Sequence, residues 1–252
     1  MKKLAVIGAA FAAAFSFAGV AHAQSGHVGL SYTENDDLDT DSTALSGAVA
    51  LGSNFQLDGR YANVDGLGGD ADDWSVGGHV FTRNSSWLLG GYAGYSNLDG
   101  GGTDLDEWTI AAEGQYYLQR GTISGALSYT EAEFLADAEQ IGLDVEYRHF
   151  FTDNFSAQIN ANVASVDFDG GGDDDLTGVG VGAEWQLASM PLSIYGGYQH
   201  NDGDILGDSD TLGLGVRWNF GGGTLKDRSQ SGAGLNRPTS FYDHYLGDVS
   251  PR

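Results

Sequence analysis

The chain has 252 residues, with 11 Lys and Arg against 35 Asp and Glu, and a formal charge of −24 at pH 7. This charge argues against nucleic acid as a partner, because phosphates are bound by basic surfaces. The lack of cysteine excludes disulfides and thiol chemistry, whereas 40 glycines, 3 prolines and 12% aromatic residues are typical of many strands and tight turns.

Residues 1–23 have the pattern of a secretory signal peptide. Two lysines precede an apolar run over residues 4–20, and Ala21-His22-Ala23 supplies small residues at the expected cleavage positions. A single membrane anchor is the alternative, but glycine and serine interrupt the run. No later segment approaches the roughly 20 apolar residues of a spanning helix. We therefore predict that the mature chain starts near Gln24.

A repeat of about 32 to 37 residues organises the chain up to residue 220. Six acidic, glycine-rich segments alternate with five short polar connections. The period suits a transmembrane hairpin, which has two strands of about 9 to 11 residues. The acidic segments are residues 33–42, 63–73, 96–107, 130–140, 166–176 and 200–210, and the short connections are residues 52–54, 82–86, 118–122, 151–154 and 188–191.

Six such hairpins predict an all-β fold. We expect a transmembrane antiparallel up-and-down β-barrel of about 12 strands over residues 24–220, with short periplasmic turns and acidic extracellular loops. The predicted strands are residues 26–33, 43–52, 54–63, 73–82, 86–96, 107–118, 121–130, 140–151, 154–165, 176–188, 191–200 and 210–220.

Apolar and polar residues alternate along these segments, which a soluble β-sandwich would also show. Two observations favour the membrane barrel. All five tryptophans lie near strand ends on the apolar parity, as in an interfacial girdle. Charge is also divided between the two kinds of connection. Of the 32 acidic residues between positions 24 and 220, 26 lie in the six acidic segments, which contain no Lys or Arg. The five arginines of the same span lie at or near the short connections. The tryptophans are Trp74, Trp87, Trp108, Trp185 and Trp218.

The signal peptide, the hairpin series and the stretch "LGLGVRWNF", which ends at Phe220, resemble the small outer-membrane porins of Gram-negative bacteria. The resemblance covers residues 1–220 and implies a location in the outer membrane, in contact with its lipid and lipopolysaccharide. It also implies that the outer-membrane assembly machinery reads the last strand through Leu212, Leu214, Val216, Trp218 and Phe220.

Residues 221–252 depart from that family, in which the aromatic residue is normally the last. Their glycine and serine content and their lack of periodicity predict a periplasmic, disordered C-terminal tail. A linker, a wall-contacting segment and a plug remain alternatives.

For function, the sequence predicts a porin-like channel that passes small solutes by diffusion and prefers cations. The predicted lumen residues comprise five carboxylates and three arginines, which could form a selective constriction or a salt-bridged plug. A non-conducting structural or surface-interaction barrel is the alternative function, and a barrel hydrolase is a weaker one. The lumen residues are Asp58, Arg60, Glu113, Asp144, Glu146, Arg148, Glu184 and Arg217.

Catalysis is not expected, because the sequence has neither G-x-S-x-G nor H-E-x-x-H. Only His79 and His200, the latter close to Asp202 in sequence, are placed for acid–base work. No cofactor and no defined metal site are predicted. The acidic segments lack the spacing of known calcium loops, so we expect at most a loose association with divalent cations.

Overall fold

A computed structural model describes residues 23–66, 69–100, 103–133, 137–204 and 207–246. The predicted signal peptide lies outside these residues, apart from its last position. The strands are β1 (Ala23–Asn35), β2 (Thr40–Leu51), β3 (Phe55–Gly66), β4 (Gly69–Arg83), β5 (Trp87–Gly100), β6 (Thr103–Leu118), β7 (Gly121–Glu133), β8 (Asp137–Thr152), β9 (Phe155–Phe168), β10 (Asp173–Gln186), β11 (Leu192–Gly203) and β12 (Ser209–Phe220). Two helices follow, α1 (Leu225–Ser231) and α2 (Phe241–Leu246).

The 12 strands form one closed antiparallel barrel in which each strand pairs with its neighbours in sequence. The barrel closes where β1 pairs with β12, in a register that runs from Gly26 opposite Phe220 to Asn35 opposite Thr211. Closure pairs the backbone groups that an open sheet would leave at its edges. The predicted fold class and strand number are confirmed.

The strand ends differ from the prediction mainly at one end of the barrel. At the end that holds Phe220 and the short connections, here called the turn end, the boundaries agree within about three residues. At the opposite end, here called the acidic end, the ladder continues into the acidic segments, so that β6 starts at Thr103 and β8 at Asp137. Much of the acidic sequence therefore lies in strands rather than in loops.

The outer surface of the barrel is a belt of apolar side chains on the predicted parity. Leu214, Ile141 and Leu89 are 64%, 60% and 59% exposed, and all five tryptophans face outward. Leucine, isoleucine and tryptophan at such exposure are suited to lipid rather than to water. No helix in the described part of the chain is long and apolar enough to cross a membrane.

Tyrosines mark the boundary between the apolar belt and the acidic end. The Tyr32 hydroxyl donates a 2.7 Å hydrogen bond to Asp41, and the Tyr198 hydroxyl donates one of 2.6 Å to Asp210. The Trp108 indole N–H likewise donates to Glu131 over 3.0 Å. Each ring has an apolar body beside the belt and a polar tip bonded to the acidic rim, which is typical of interfacial aromatic residues.

The tail differs from the expectation of a disordered periplasmic segment. Its described part, residues 221–246, folds back into the barrel, and Leu225, Leu235, Phe241 and Tyr242 are buried. The tail is ordered because the lumen provides hydrogen-bond partners for its backbone and apolar pockets for these four side chains.

Candidate functional site

The tail enters the lumen at the turn end through a glycine hinge. Gly221, Gly222 and Gly223 have φ angles of 85°, 79° and 89°, in the left-handed region that glycine adopts without steric cost. The hinge leads into α1, which begins with a capping box. The Asp227 N–H donates to Thr224 Oγ1 over 3.1 Å, and the Thr224 N–H donates to Asp227 Oδ2 over 3.0 Å. The chain therefore reverses directly after β12 and starts a helix.

Helix α1 lies against the wall at the turn end. The hydroxyls of Ser229 and Thr122 are 3.0 Å apart. The Gln230 amide donates to the carbonyl oxygens of Leu118 and Gly121, over 3.0 and 3.1 Å, on both sides of the β6–β7 turn. Helix α1 is thus bonded to the barrel by these side chains and by the Lys226 N–H, which donates to the Asp153 carbonyl over 3.1 Å, and not by a strand ladder.

A buried ion cluster joins α1 to the wall. Glu184 accepts a hydrogen bond from Arg217 over 3.2 Å, and its other oxygen lies 3.6 Å from a guanidinium nitrogen of Arg228. Arg217 also lies over the ring of Tyr195, with 5.0 Å between the guanidinium carbon and the ring centroid. All three charged residues are buried. The Glu184 carboxylate, which water does not reach, therefore has two cationic partners, Arg217 from the wall and Arg228 from the tail.

The middle of the tail is held by amide side chains. The Gln56 amide donates to the Leu235 carbonyl over 2.7 Å and accepts from the Leu235 N–H over 3.1 Å. Gln115 donates to the Gly234 carbonyl over 3.0 Å. The Leu235 side chain packs in a small apolar cluster with Phe81, Leu88 and Tyr117.

Nearer the acidic end, charged and hydroxyl groups hold the tail. Arg237 forms an ion pair with Asp243 within the tail and donates to Ser75 Oγ over 3.2 Å. Thr239 bonds to the Asp144 carboxylate through both its hydroxyl and its N–H, the latter over 3.2 Å. The tail is thus hydrogen-bonded to Asp144, one of the predicted lumen carboxylates.

Helix α2 fills the acidic end. Asn201 donates to the His244 carbonyl over 3.1 Å, and the Tyr242 N–H donates to Glu107 over 3.4 Å. Phe241 and Tyr242 belong to the largest buried apolar cluster, whose wall members all lie near the acidic ends of their strands. Those members are Val64, Ala71, Leu98, Leu105, Ala132, Ala138, Ala164, Val166 and Leu176.

The structure places all eight predicted lumen residues on the inward parity, and none of them is fully exposed to solvent. Several form pairs on the inner face of the wall, between neighbouring strands or within one strand. Arg60 is paired with Asp73, and Arg148 lies 3.2 Å from Glu146. The structure therefore brings these residues into the lumen in short-range pairs, and their part in ion selectivity stays a prediction.

His79 lies between two of the predicted carboxylates. Its Nε2 is 2.8 Å from Asp58, its Nδ1 is 2.9 Å from Glu113, and its ring lies against Tyr92 with 4.8 Å between centroids. The imidazole is 1% exposed. His200 pairs with Asp210 over 2.7 Å rather than with its sequence neighbour Asp202. Both histidines are thus engaged by carboxylates.

Sequence reasoning missed several lumen groups. Asp73, Glu107 and Asp174 face inward and are buried, although the sequence assigned them to the acidic outer segments. The alternation could have found them, because Asp73 and Glu107 are next to the outward-facing Trp74 and Trp108.

A small cavity remains between the tail and the wall. It has a volume of about 50 Å³ and is bounded by residues 235–238 of the tail and by β6 to β9. This is room for a few water molecules. Among the described residues, no group of three or more His, Asp or Glu side chains could hold a metal ion. The polar lining of the cavity comprises Glu113, Gln115, Ser124, Asp144, Glu146, Asn160, Asn162, Asn236 and Arg237.

No protein-family model and no curated protein matches the sequence. Solved structures do match the fold. The NanC porin aligns with a TM-score of 0.61 at 9% identity, covering 76% of this chain and 98% of its own. An outer-membrane channel from Pseudomonas putida F1 aligns with a TM-score of 0.58 at 13% identity, covering 79% and 96%.

The chain has the fold of an outer-membrane β-barrel. The KdgM porin, solved with a disordered oligogalacturonate, is a further match, with a TM-score of 0.50 at 12% identity and coverage of 77% of this chain and 99% of its own. At such identities the likeness concerns the fold alone, and the function rests on the chain's own residues.

Proposed function

We propose that this protein is a porin-like channel of the outer membrane, closed by its own tail, which passes small solutes by diffusion and prefers cations when the tail leaves the lumen. The observation that carries the proposal is that the barrel closes through β1 and β12 alone. The tail adds no strand to the sheet, so the wall can remain intact without it.

The inner wall is compatible with water. Gly178, Gly180 and Gly182 line β10, while small and polar residues such as Ser31, Ala44 and Ser128 face inward elsewhere. A barrel of 12 strands lies between the eight-stranded kind that side chains fill and the 16-stranded kind with an open channel. Removal of the tail would therefore leave a narrow, polar passage.

The proposed cation preference is supported by the charges of the wall. The eight predicted lumen residues carry more acids than bases, and Asp73, Glu107 and Asp174 add three further inward carboxylates. In the closed state the tail adds Arg228 to this acidic lumen, whereas its Arg237 is paired with its own Asp243. An open lumen of this composition would attract mobile cations and repel anions.

The proposed orientation places the acidic end outside the cell and the turn end in the periplasm, which is the usual arrangement of such barrels. Because the chain has no cysteine, single cysteines report on it directly. In intact cells, a membrane-impermeant maleimide should label Asp169→Cys, in an exposed turn of the acidic end, but not Ser53→Cys in the exposed β2–β3 turn. The opposite labelling would reverse the orientation.

The channel itself is tested by conductance in planar bilayers. The full chain should conduct little, and a chain that ends at Gly223 should show stable conductance with a reversal potential on the cation side. Heat-modifiable migration of both proteins in gels provides the folding control. A folded truncated barrel without conductance would leave the alternative of a structural or surface-interaction barrel, and a folded barrel with anion preference would remove the cation assignment. The proposal assigns no catalytic role.

A further inference from the structure

We propose that His79 controls the closed channel through its protonation state, so that loss of a proton from its ring at alkaline pH releases the tail from the lumen. The inference rests on the proposed function, because it names what regulates the same closed lumen. It is carried by three inward side chains, Asp58, His79 and Glu113, here called the His79 triad.

The His79 triad joins three strands of the wall. Its residues lie on β3, β4 and β6, so Glu113 reaches His79 across β5. The register partner of Glu113 on β5 is Gly90, which has no side chain to block this approach. A Cβ atom added at Gly90 would lie 2.7 Å from the Cβ atom of Phe81, so the wall has no room for a larger residue there.

The geometry of the triad requires two protons on the ring. Nε2 lies 2.8 Å from Asp58, and Nδ1 lies 2.9 Å from Glu113. An ionised carboxylate only accepts hydrogen bonds, and a neutral imidazole has one N–H and one lone pair. Both bonds to ionised carboxylates therefore form only with the imidazolium. Without its second proton, His79 directs a lone pair at a carboxylate, which is repulsive.

The closed lumen cannot relieve this repulsion. His79 is buried and its ring packs against Tyr92, and water in the small cavity beside Glu113 cannot enter a gap of 2.9 Å between two atoms. In an open, water-filled lumen, water can donate to the carboxylate that loses its N–H. Loss of the proton thus destabilises the closed state more than the open state, and by linkage a rise in pH favours opening.

Other charged and titratable groups surround the triad, and most of them keep their charge between pH 7 and pH 9.5. Arginine stays protonated in this range, and ionised carboxylates do not change. Tyr92 and Glu107, which interact electrostatically, are tested below by variants. The groups are Tyr92 of β5, Arg60 of β3, Asp73 of β4, Glu107 of β6, Asp144 and Glu146 of β8, and Arg237 and Asp243 of the tail.

The residues that hold the middle of the tail are neighbours of the triad in the wall. Gln56, Phe81 and Gln115 are the next inward residues beside the triad residues on the same three strands. Gln56 is also the register partner of His79. Gln56 and Gln115 bond to the tail backbone, and Phe81 packs against Leu235. A displacement of the triad would therefore move the side chains that hold the tail.

The test combines conductance with labelling of the tail. In bilayers the full chain should open at least tenfold more often at pH 9.5 than at pH 7, whereas the chain that ends at Gly223 should conduct equally at both. In the purified full chain, Ala233→Cys, at a buried position against β2, should react at least tenfold faster with a methanethiosulfonate at pH 9.5. Its rate is divided by that of the exposed Asp169→Cys, which corrects for ionisation of the thiol itself.

Two variants of the triad should respond differently. Glu113→Gln introduces an amide that can donate to the lone pair of a neutral ring, so the tail should stay bound at pH 9.5. His79→Gln does not titrate, so openings and labelling should be the same at both pH values. His200→Gln, which removes the exposed histidine of the pair with Asp210, provides the matched control and should keep the wild-type response.

The outcomes separate this inference from the proposed function. If Ala233→Cys becomes reactive at pH 9.5 but no form conducts, the channel proposal fails and proton control stands. If the truncated barrel conducts while neither openings nor labelling of the full chain change with pH, proton control fails and the channel stands. A His79→Gln barrel that is folded by heat-modifiable migration and keeps the wild-type response would overturn the inference. So would a response abolished by Glu107→Gln or Tyr92→Phe.

Discussion

The hydroxyl of Ser229 on α1 lies 3.0 Å from the hydroxyl of Thr122 on β7, in a chain that has no cysteine. Two side chains this close, one on the tail and one on the wall, can be replaced by a cysteine pair. A disulfide bond would then join the tail to the barrel at the turn end.

The first prediction uses this pair. The double variant Thr122→Cys/Ser229→Cys should form a disulfide in the folded barrel, and the oxidised form should open at least tenfold less often in bilayers than the reduced form, because the tail can no longer withdraw. Each single variant provides the control and should not respond to reductant. Equal conductance of the oxidised and reduced forms would show that the tail does not control the channel.

The second prediction concerns the ion cluster of Glu184. Glu184→Gln leaves Arg217 and Arg228 without the carboxylate between them, and removing one partner of a buried ion pair costs about 3–5 kcal/mol. We expect weaker retention of the tail and more frequent openings of the full chain in bilayers. Asp169→Asn, which neutralises an exposed turn carboxylate, should leave the openings unchanged. Unchanged gating of a folded Glu184→Gln barrel would mean that this cluster does not hold the tail.

The third prediction concerns selectivity in the barrel that ends at Gly223. Replacing Asp144, Glu146 and Glu184 by Asn or Gln should lower the cation preference more than replacing Asp169, Asp173 and Asp175 by Asn. Exposed charges are screened within about 10 Å at 0.1 M salt, whereas charges on a narrow lumen are screened less. Asp174 is not a suitable control because its side chain is buried. Reversal potentials in asymmetric salt provide the measurement, and an equal effect of the two triple variants would argue against selection in the lumen.

The fourth prediction tests the implied assembly stretch. Trp218→Asp places a charge on the outer face, where a basic residue costs about 2–4 kcal/mol at the membrane midplane, an acidic residue costs less, and both cost less near the interface. Phe220→Ser removes the ring that lies over Gly26 at the closing seam. Both variants should yield less heat-modifiable barrel in the outer membrane than Ser189→Asp, in the exposed β10–β11 connection. Normal yields of both would remove the role assigned to this stretch.

The strands could be predicted because the wall obeys a period of two that is read directly from the sequence. Every residue from Leu212 to Phe220 has the predicted parity, since β12 faces lipid on one side and the lumen on the other. The same alternation continues into the acidic segments, where the sequence analysis predicted loops. Asp72 and Asp73 are neighbours in sequence, but Asp72 bonds to Tyr61 on the outer face whereas Asp73 is paired with Arg60 inside.

The tail could not be predicted by periodicity, because it runs along the lumen and contacts wall residues on many different strands. The spacing of its apolar side chains along the sequence therefore matches the positions of pockets in the wall and follows neither a helical nor a strand period. Local signals were nevertheless present. The sequences "TLKD" at residues 224–227 and "SFYD" at residues 240–243 have the spacing of a helix capping box, and both boxes form.

The seam between β1 and β12 imposes an order of events on the folding of this chain. The tail follows β12 directly, and the register from Gly26 to Asn35 seals the wall around it. The tail must therefore lie within the open sheet before β1 pairs with β12, or it must enter the closed barrel afterwards from the turn end. In the proposed opening the tail would leave by sliding lengthwise, and Phe241 and Tyr242 would have to leave their apolar cluster near the acidic rim and travel the whole height of the wall. Such a path is expected to make escape slow, so the residence time of the closed state is governed by a kinetic barrier as much as by the strength of the contacts.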